Sequence, residues 1–116
     1  MNGGEREPQP PVDRKALIAL FAINGLQDPE ALAQLSLYAD QVHAEAAAAD
    51  TSLASMRVEM KLCALYASIG KDALALEALS DIREGAFSEP GEEGEALIDD
   101  IDDLMRRIEL GVRDLD

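Results

Sequence analysis

The sequence predicts an all-α fold of about five helices, stacked as antiparallel hairpins in a small bundle. Three observations predict it. Apolar residues recur every three or four positions through five separate stretches. The core-forming inventory is Leu, Ala, Ile and Met, with two Tyr, two Phe and no Trp; Ala, Leu and Met order in a helix at little entropic cost. Glycines and capping residues stand between the stretches, where helices would end and begin.

Residues 1–11 (MNGGEREPQPP) combine prolines, glycines and charges, too polar to offset the entropy of ordering, so a mobile tail is expected there and a single helical domain over 12–116. From Asp13, the residues Ala16, Leu17, Leu20, Phe21 and Ile23 make a first helix that is apolar around most of its girth. Such a helix should be largely covered by neighbours. It ends at Asn24-Gly25. Asp28-Pro29-Glu30 starts the second, because the Asp carboxylate can accept from first-turn amides while Pro fills a position whose amide has no partner. Its apolar stripe is Leu32, Leu35, Ala39, Val42 and Ala46.

Asp50 or Thr51 can cap a third helix running to about Ile69. It carries two apolar series: Leu53, Met56, Met60, Cys63 and Ala67, then Val58, Leu62, Leu65 and Ile69. Two stripes need neighbours on two sides, which places this helix at the centre of the fold. Gly70 ends it, and after Lys71-Asp72 a fourth helix presents Ala75, Leu79 and Ile82 before Gly85. Phe87 to Gly94 (FSEPGEEG) reads as a solvated loop. The fifth helix follows, with Leu97, Ile101, Leu104 and Ile108 in register and Ile98, Met105 and Val112 beside them, opposite a strongly acidic face.

With 24 Asp and Glu against 10 Lys and Arg, the net charge is -14. The mean field repels phosphates and anionic headgroups, which argues against direct nucleic-acid or membrane binding and favours a basic partner. The longest apolar run, residues 16–23, is too short to span a bilayer. Cys63, the single cysteine, has no partner for an internal disulfide and suits a reducing compartment, so a cytoplasmic protein is expected.

Chemistry-bearing residues are sparse. Asp40 and His43 stand three apart, as on one helix face, yet a di-metal bundle needs such pairs from two helices and the chain has one histidine. Asp99, Asp100, Asp102 and Asp103 read as a solvated face near the positive end of the fifth helix, not as a calcium loop. Cys63 among Leu, Ala and Met reads as a buried thiol. Gly70-Lys71 lacks the upstream glycine and the following hydroxyl of a phosphate loop. No catalytic apparatus, cofactor or metal is expected.

Residues 62–79 (LCALYASIGKDALALEAL) resemble a tetratricopeptide repeat, a hairpin of about 34 residues with a large apolar residue, a small one, Tyr, Gly, Ala and another bulky residue at set spacing. Leu62, Cys63, Tyr66, Gly70, Ala75 and Leu79 hold those places. The chain departs from the pattern at Glu59, Ile82 and Phe87, and a weaker echo at residues 19–35 is out of register with it. One repeat, over about residues 56–89, is therefore recognised, with the flanking helices as caps. The same residue types at the same intervals also suit any close antiparallel hairpin. The resemblance implies a protein-binding scaffold, an adaptor or a chaperone for a peptide or helix.

The leading expectation is thus a TPR-like, acidic module for protein–protein interaction, receiving a partner's peptide or amphipathic helix beside the third and fourth helices or against the fifth. Tyr38, Met60, Tyr66, Ile101, Met105 and Ile108 are the expected partner contacts. Two other readings compete with it. One is an acidic inhibitor, or nucleic-acid mimic, covering a basic surface of its target; the other is a homodimer through the seam of the fifth helix, which Gly111 interrupts.

Overall fold

A computed structural model describes residues 11–113 and Leu115. The tail expected over residues 1–11 lies, apart from Pro11, outside the described residues. Among them are five helices and no strand: α1 (Arg14–Asn24), α2 (Pro29–Ala47), α3 (Ser52–Ser68), α4 (Asp72–Phe87) and α5 (Glu92–Glu109).

The helix starts follow from their caps. The Asp13 carboxylate accepts from the amides of Lys15 and Ala16, and that of Asp28 from Ala31 with Pro29 at the first position. Thr51, rather than Asp50, caps α3: its hydroxyl accepts from the Ala54 amide at 3.0 Å. Each such bond satisfies an amide that the helix itself leaves free, worth about 1 kcal/mol. α3 and α5 end in one and the same way. The amides of Gly70 and Lys71 donate to the carbonyls of Ala67 and Tyr66; those of Gly111 and Val112 donate to Ile108 and Arg107. Both closures need a glycine at positive φ, +93° at Gly70 and +82° at Gly111.

α3 touches all four other helices, whereas α2 and α4 make no close approach to each other. The odd-numbered helices therefore form one layer and the even-numbered helices the other. Two cores result. Leu62 and Leu65 of α3, with Ile69 at its C-cap, pack with Leu17, Phe21, Ala31, Tyr38 and Val42. Cys63, Ala64 and Ala67 pack with Ala75, Leu79, Ala86, Leu97, Ile101 and Ile108. The two apolar series of α3 divide between these cores as their spacing requires, with Val58 joining the first and Leu53, Met56 and Met60 the second.

Three local expectations are corrected. α1 is an end helix, so only Leu17 and Phe21 are buried while Ile23 is 81% exposed. On α2 the buried line runs through Ala31, Tyr38, Val42 and Ala46, which turns Leu32 outward. The loop expected over Phe87–Gly94 shrinks to residues 88–91, because α4 continues through Gly85 to Phe87 and α5 already begins at Glu92. Gly94 is buried in the first turn of α5, where a Cβ would collide with the Glu89 carbonyl oxygen. It is a glycine of close approach, not a helix breaker. In consequence Glu92, Glu93 and Glu95, rather than the later aspartates, occupy the positive end of the α5 dipole.

Candidate functional site

Two of the clefts on the layer of odd-numbered helices share one wall of α3, which includes Met60 and Ala64 at the margin of the second core. The first, about 420 Å³, lies between α1 and the end of α3 and is lined by Arg14, Lys15, Ile18, Ala19 and Ser68. The second, about 290 Å³, lies between α3 and α5 and is lined by Arg57, Met60, Lys61, Ala64, Asp100, Asp103, Leu104 and Arg107. On α3 the contributors recur at positions 57, 60, 61, 64 and 68, the spacing of a single helical face. Leu115 lines both clefts.

Leu115 reaches that position because the chain turns back after α5. Beyond Gly111, the Arg113 carbonyl accepts from the Ser68 hydroxyl at 2.9 Å, and the Arg113 guanidinium donates to the Ala67 carbonyl at 3.0 Å and to the Asp72 carboxylate. Arg14 also donates to the Ser68 oxygen, at 3.5 Å. Leu115 is left 6% exposed and packed into the core shared by α3, α4 and α5.

The charge on this face departs from that of the chain. Six of the 10 Lys and Arg line the two clefts, against two carboxylates, Asp100 and Asp103. Arg57 pairs with Asp100 at 2.8 Å, Lys61 with Glu45 at 2.9 Å and Arg107 with Asp103 at 3.1 Å. These pairs are exposed and contribute little stability individually. With Arg113 paired to Asp72, the cleft cations Arg57, Lys61, Arg107 and Arg113 each have a carboxylate beside them, so the face is richer in cations than the chain as a whole but not free of carboxylates.

The aspartates of α5 take part in this pattern rather than forming a bare acidic face. Asp100 reaches α3 through Arg57, and Asp102 reaches α4 through two bonds from Arg83, at 2.7 and 3.3 Å. Arg83 in turn lies 4.8 Å over the ring of Phe87. Its hydrogen bond to Asp102 strengthens its hold on the proton.

Of the expected partner contacts, Met60 alone lines a cleft on this face. Ile101 and Ile108 are buried at 0% and 1% exposure in the core of α3, α4 and α5, while Tyr38, 8% exposed, packs in the other core and lines a separate cleft of about 390 Å³ with Gln41, Val42 and Lys61. Met105 is half-buried against the core of α3, α4 and α5, and Tyr66 touches both cores. Desolvation pushes the Tyr38 and Tyr66 hydroxyls above the usual tyrosine range. The seam of α5 is likewise occupied within the chain, through Leu97, Ile101 and Ile108.

A second feature is apolar. Leu26, Gly70 and Arg113 line one cleft, so the α1–α2 turn, the α3–α4 turn and the segment after α5 meet at the same end of the bundle. Ile23, Leu26, Leu32, Leu74, Leu110 and Val112 all lie at that end, and of the exposed large apolar residues described only Phe87 lies at the other.

Residues able to do chemistry are not brought together. His43 pairs with Glu59 across α2 and α3 at 2.9 Å, not with Asp40. Cys63 is 3% exposed, and burial pushes its thiol up to about 12, with Glu59 adding to the effect. Among the described residues no group of three or more His, Cys, Asp or Glu is placed to hold a metal ion, and no helix is long and apolar enough to cross a membrane. Arg14, Lys15, Ile18, Ala19 and Leu115 are among the functional candidates that sequence reasoning missed, as are Arg57, Lys61 and Arg107. For the first five, the signal in the sequence is only a pair of cations opening α1 and a leucine after a helix stop. Comparison with protein-family models, with curated proteins and with solved structures finds no match to this chain.

Proposed function

We propose that this chain is a binding module, not an enzyme, and that it receives an extended or helical segment of a partner protein across the face formed by α1, α3 and α5. The observation that carries this reading is the pair of clefts meeting at Leu115, with an apolar floor from Ile18, Ala19, Met60, Ala64 and Leu104 and a rim that holds Arg14, Lys15, Arg57, Lys61 and Arg107 besides Arg113 of the segment after α5. Recognition sites combine such apolar floors with a few polar groups that fix orientation. Charge on the rim favours an acidic segment over the basic partner that net charge alone suggests.

The resemblance of residues 56–89 to a tetratricopeptide hairpin adds the roles of adaptor or chaperone to the reading. Cys63, Ala67 and Ala75 pack where α3 meets α4, a placement that a close hairpin of any family shares. A buried reduced thiol suits the cytoplasm.

The test is a photo-crosslinking side chain placed at Ala19, in the first cleft, and in a control at Glu77, exposed on α4. In cells of the native source, a single protein joined from Ala19 and absent from Glu77 supports the proposal. Equal labelling from both positions, or none from Ala19, contradicts it.

A further inference from the structure

The segment after α5 already does to this face what a partner would do. Leu115 inserts its side chain at the junction of the two clefts, and it follows a backbone turn anchored by Ser68, Ala67 and Asp72. In sequence that leucine stands between Asp114 and Asp116. The aliphatic side chain is thus seated between the two clefts, whose walls hold Arg14, Lys15, Arg57, Lys61 and Arg107.

Resting on the reading just proposed, we infer that this segment is an intramolecular occupant of the docking face. The partner segment it stands in for has the same chemistry, a leucine between acidic residues. The partner binds by displacing Leu115, which joins the clefts of about 420 and 290 Å³ into one groove.

Two features make displacement feasible without unfolding the bundle. The turn at Gly111 separates the segment from α5, so Leu115 can leave while Leu97, Ile101 and Ile108 stay packed. The Arg113–Asp72 pair that fastens it is exposed, with half of the Arg113 side chain in solvent, and such contacts open locally at low cost. Because the tethered leucine is always present at high effective concentration, it lowers the apparent affinity for any competitor.

The experiment uses the full chain and a fluorescent peptide of sequence Leu110–Asp116, followed by anisotropy. The peptide is expected to bind Leu115→Ala at least roughly tenfold more tightly than the unaltered chain, the gain expected when a closed state is removed. Arg113 belongs to the covering segment and not to the face beneath it, so Arg113→Ala, which loosens the anchor and leaves the core leucine in place, should shift affinity in the same direction. A peptide carrying Leu115→Ala should not bind, and one carrying asparagine at 114 and 116 should bind more weakly at low salt. Helical circular dichroism checks that both variants fold.

Equal affinity of the peptide for the unaltered chain and both folded variants overturns the inference, as does binding that ignores the peptide leucine. The two proposals fail separately. A partner crosslinked from Ala19 that binds the unaltered chain and Leu115→Ala equally well removes the displacement and leaves the docking face. Absence of any such partner removes the docking face, whatever the peptide does.

Discussion

Leu62 and Cys63 are consecutive residues, both buried, and they belong to opposite cores. One step along a helix turns a side chain by about 100°, which is enough to move from the α1–α2 side of α3 to the α4–α5 side. α3 is thereby the shared wall of the molecule, and Arg57, Lys61 and Ser68, with Met60 and Ala64 from the margin of the second core, line the clefts.

A shared wall couples the two cores. Leu65→Ala and Leu79→Ala remove fully buried side chains from different cores, and each should cost about 2–5 kcal/mol. Both variants should unfold in one urea transition that shifts to lower midpoint, since neither core retains its wall when α3 melts. Two separated transitions would show independent cores. Ile23→Ala, at an exposed site, should change stability by no more than about 0.5 kcal/mol.

The two helical glycines flanking the α4–α5 turn should respond differently to alanine. At Gly94 the new methyl meets the Glu89 carbonyl, part of the backbone. Gly94→Ala should lower stability by about 1–3 kcal/mol. At Gly85 it meets only the end of the Met56 side chain, its methyl at 3.0 Å and its sulfur at 3.9 Å, and a thioether end can swing aside. Gly85→Ala should therefore be near neutral, with helix propensity returning up to about 1 kcal/mol. Thermal unfolding of the pair decides it.

Cys63 gives the chain an alkaline sensitivity. Its thiol titrates near 9 when exposed and is pushed up to about 12 in the fold by burial. Above pH 9 the unfolded chain has lost the proton that the folded chain keeps, so stability falls as pH rises between those values. At pH 10 the loss from this group is on the order of 1 kcal/mol. Denaturation of Cys63→Ala and the unaltered chain across pH 7.5–10.5 should show the steeper decline in the latter. Thiol reagents should label the native chain only through unfolding.

The helical architecture was legible because its signals are local. The two apolar series of α3, the caps at Asp13 and Asp28 and the stop at Gly70 each depend on residues within a few positions of one another. The α4–α5 turn misled because Gly85 and Gly94 look like breakers, and only contacts with Met56 and Glu89 reveal that they serve close packing. The site was less legible still. Tyr38, Ile101 and Ile108 were attractive as anchors on apolar content, but apolar content cannot say which side of a helix is covered. Arg14, Arg57, Lys61, Arg107 and Arg113 are scattered in sequence without a period and converge only through the packing of α1, α3 and α5. Leu115 follows a helix stop, where sequence reasoning expects solvent.

Hydrogen exchange of two matched amides tests the displaceable segment most directly. Lys71 and Val112 close α3 and α5 with the same bond, at 2.8 and 3.0 Å, so the difference between them isolates the opening of the segment after α5. Val112 should exchange through a local opening, far faster than Lys71 relative to intrinsic rates and insensitive to low urea. Equal, slow exchange at both amides, accelerated together by urea, would mean that Leu115 leaves only when the bundle unfolds, and the face would then be closed to a partner.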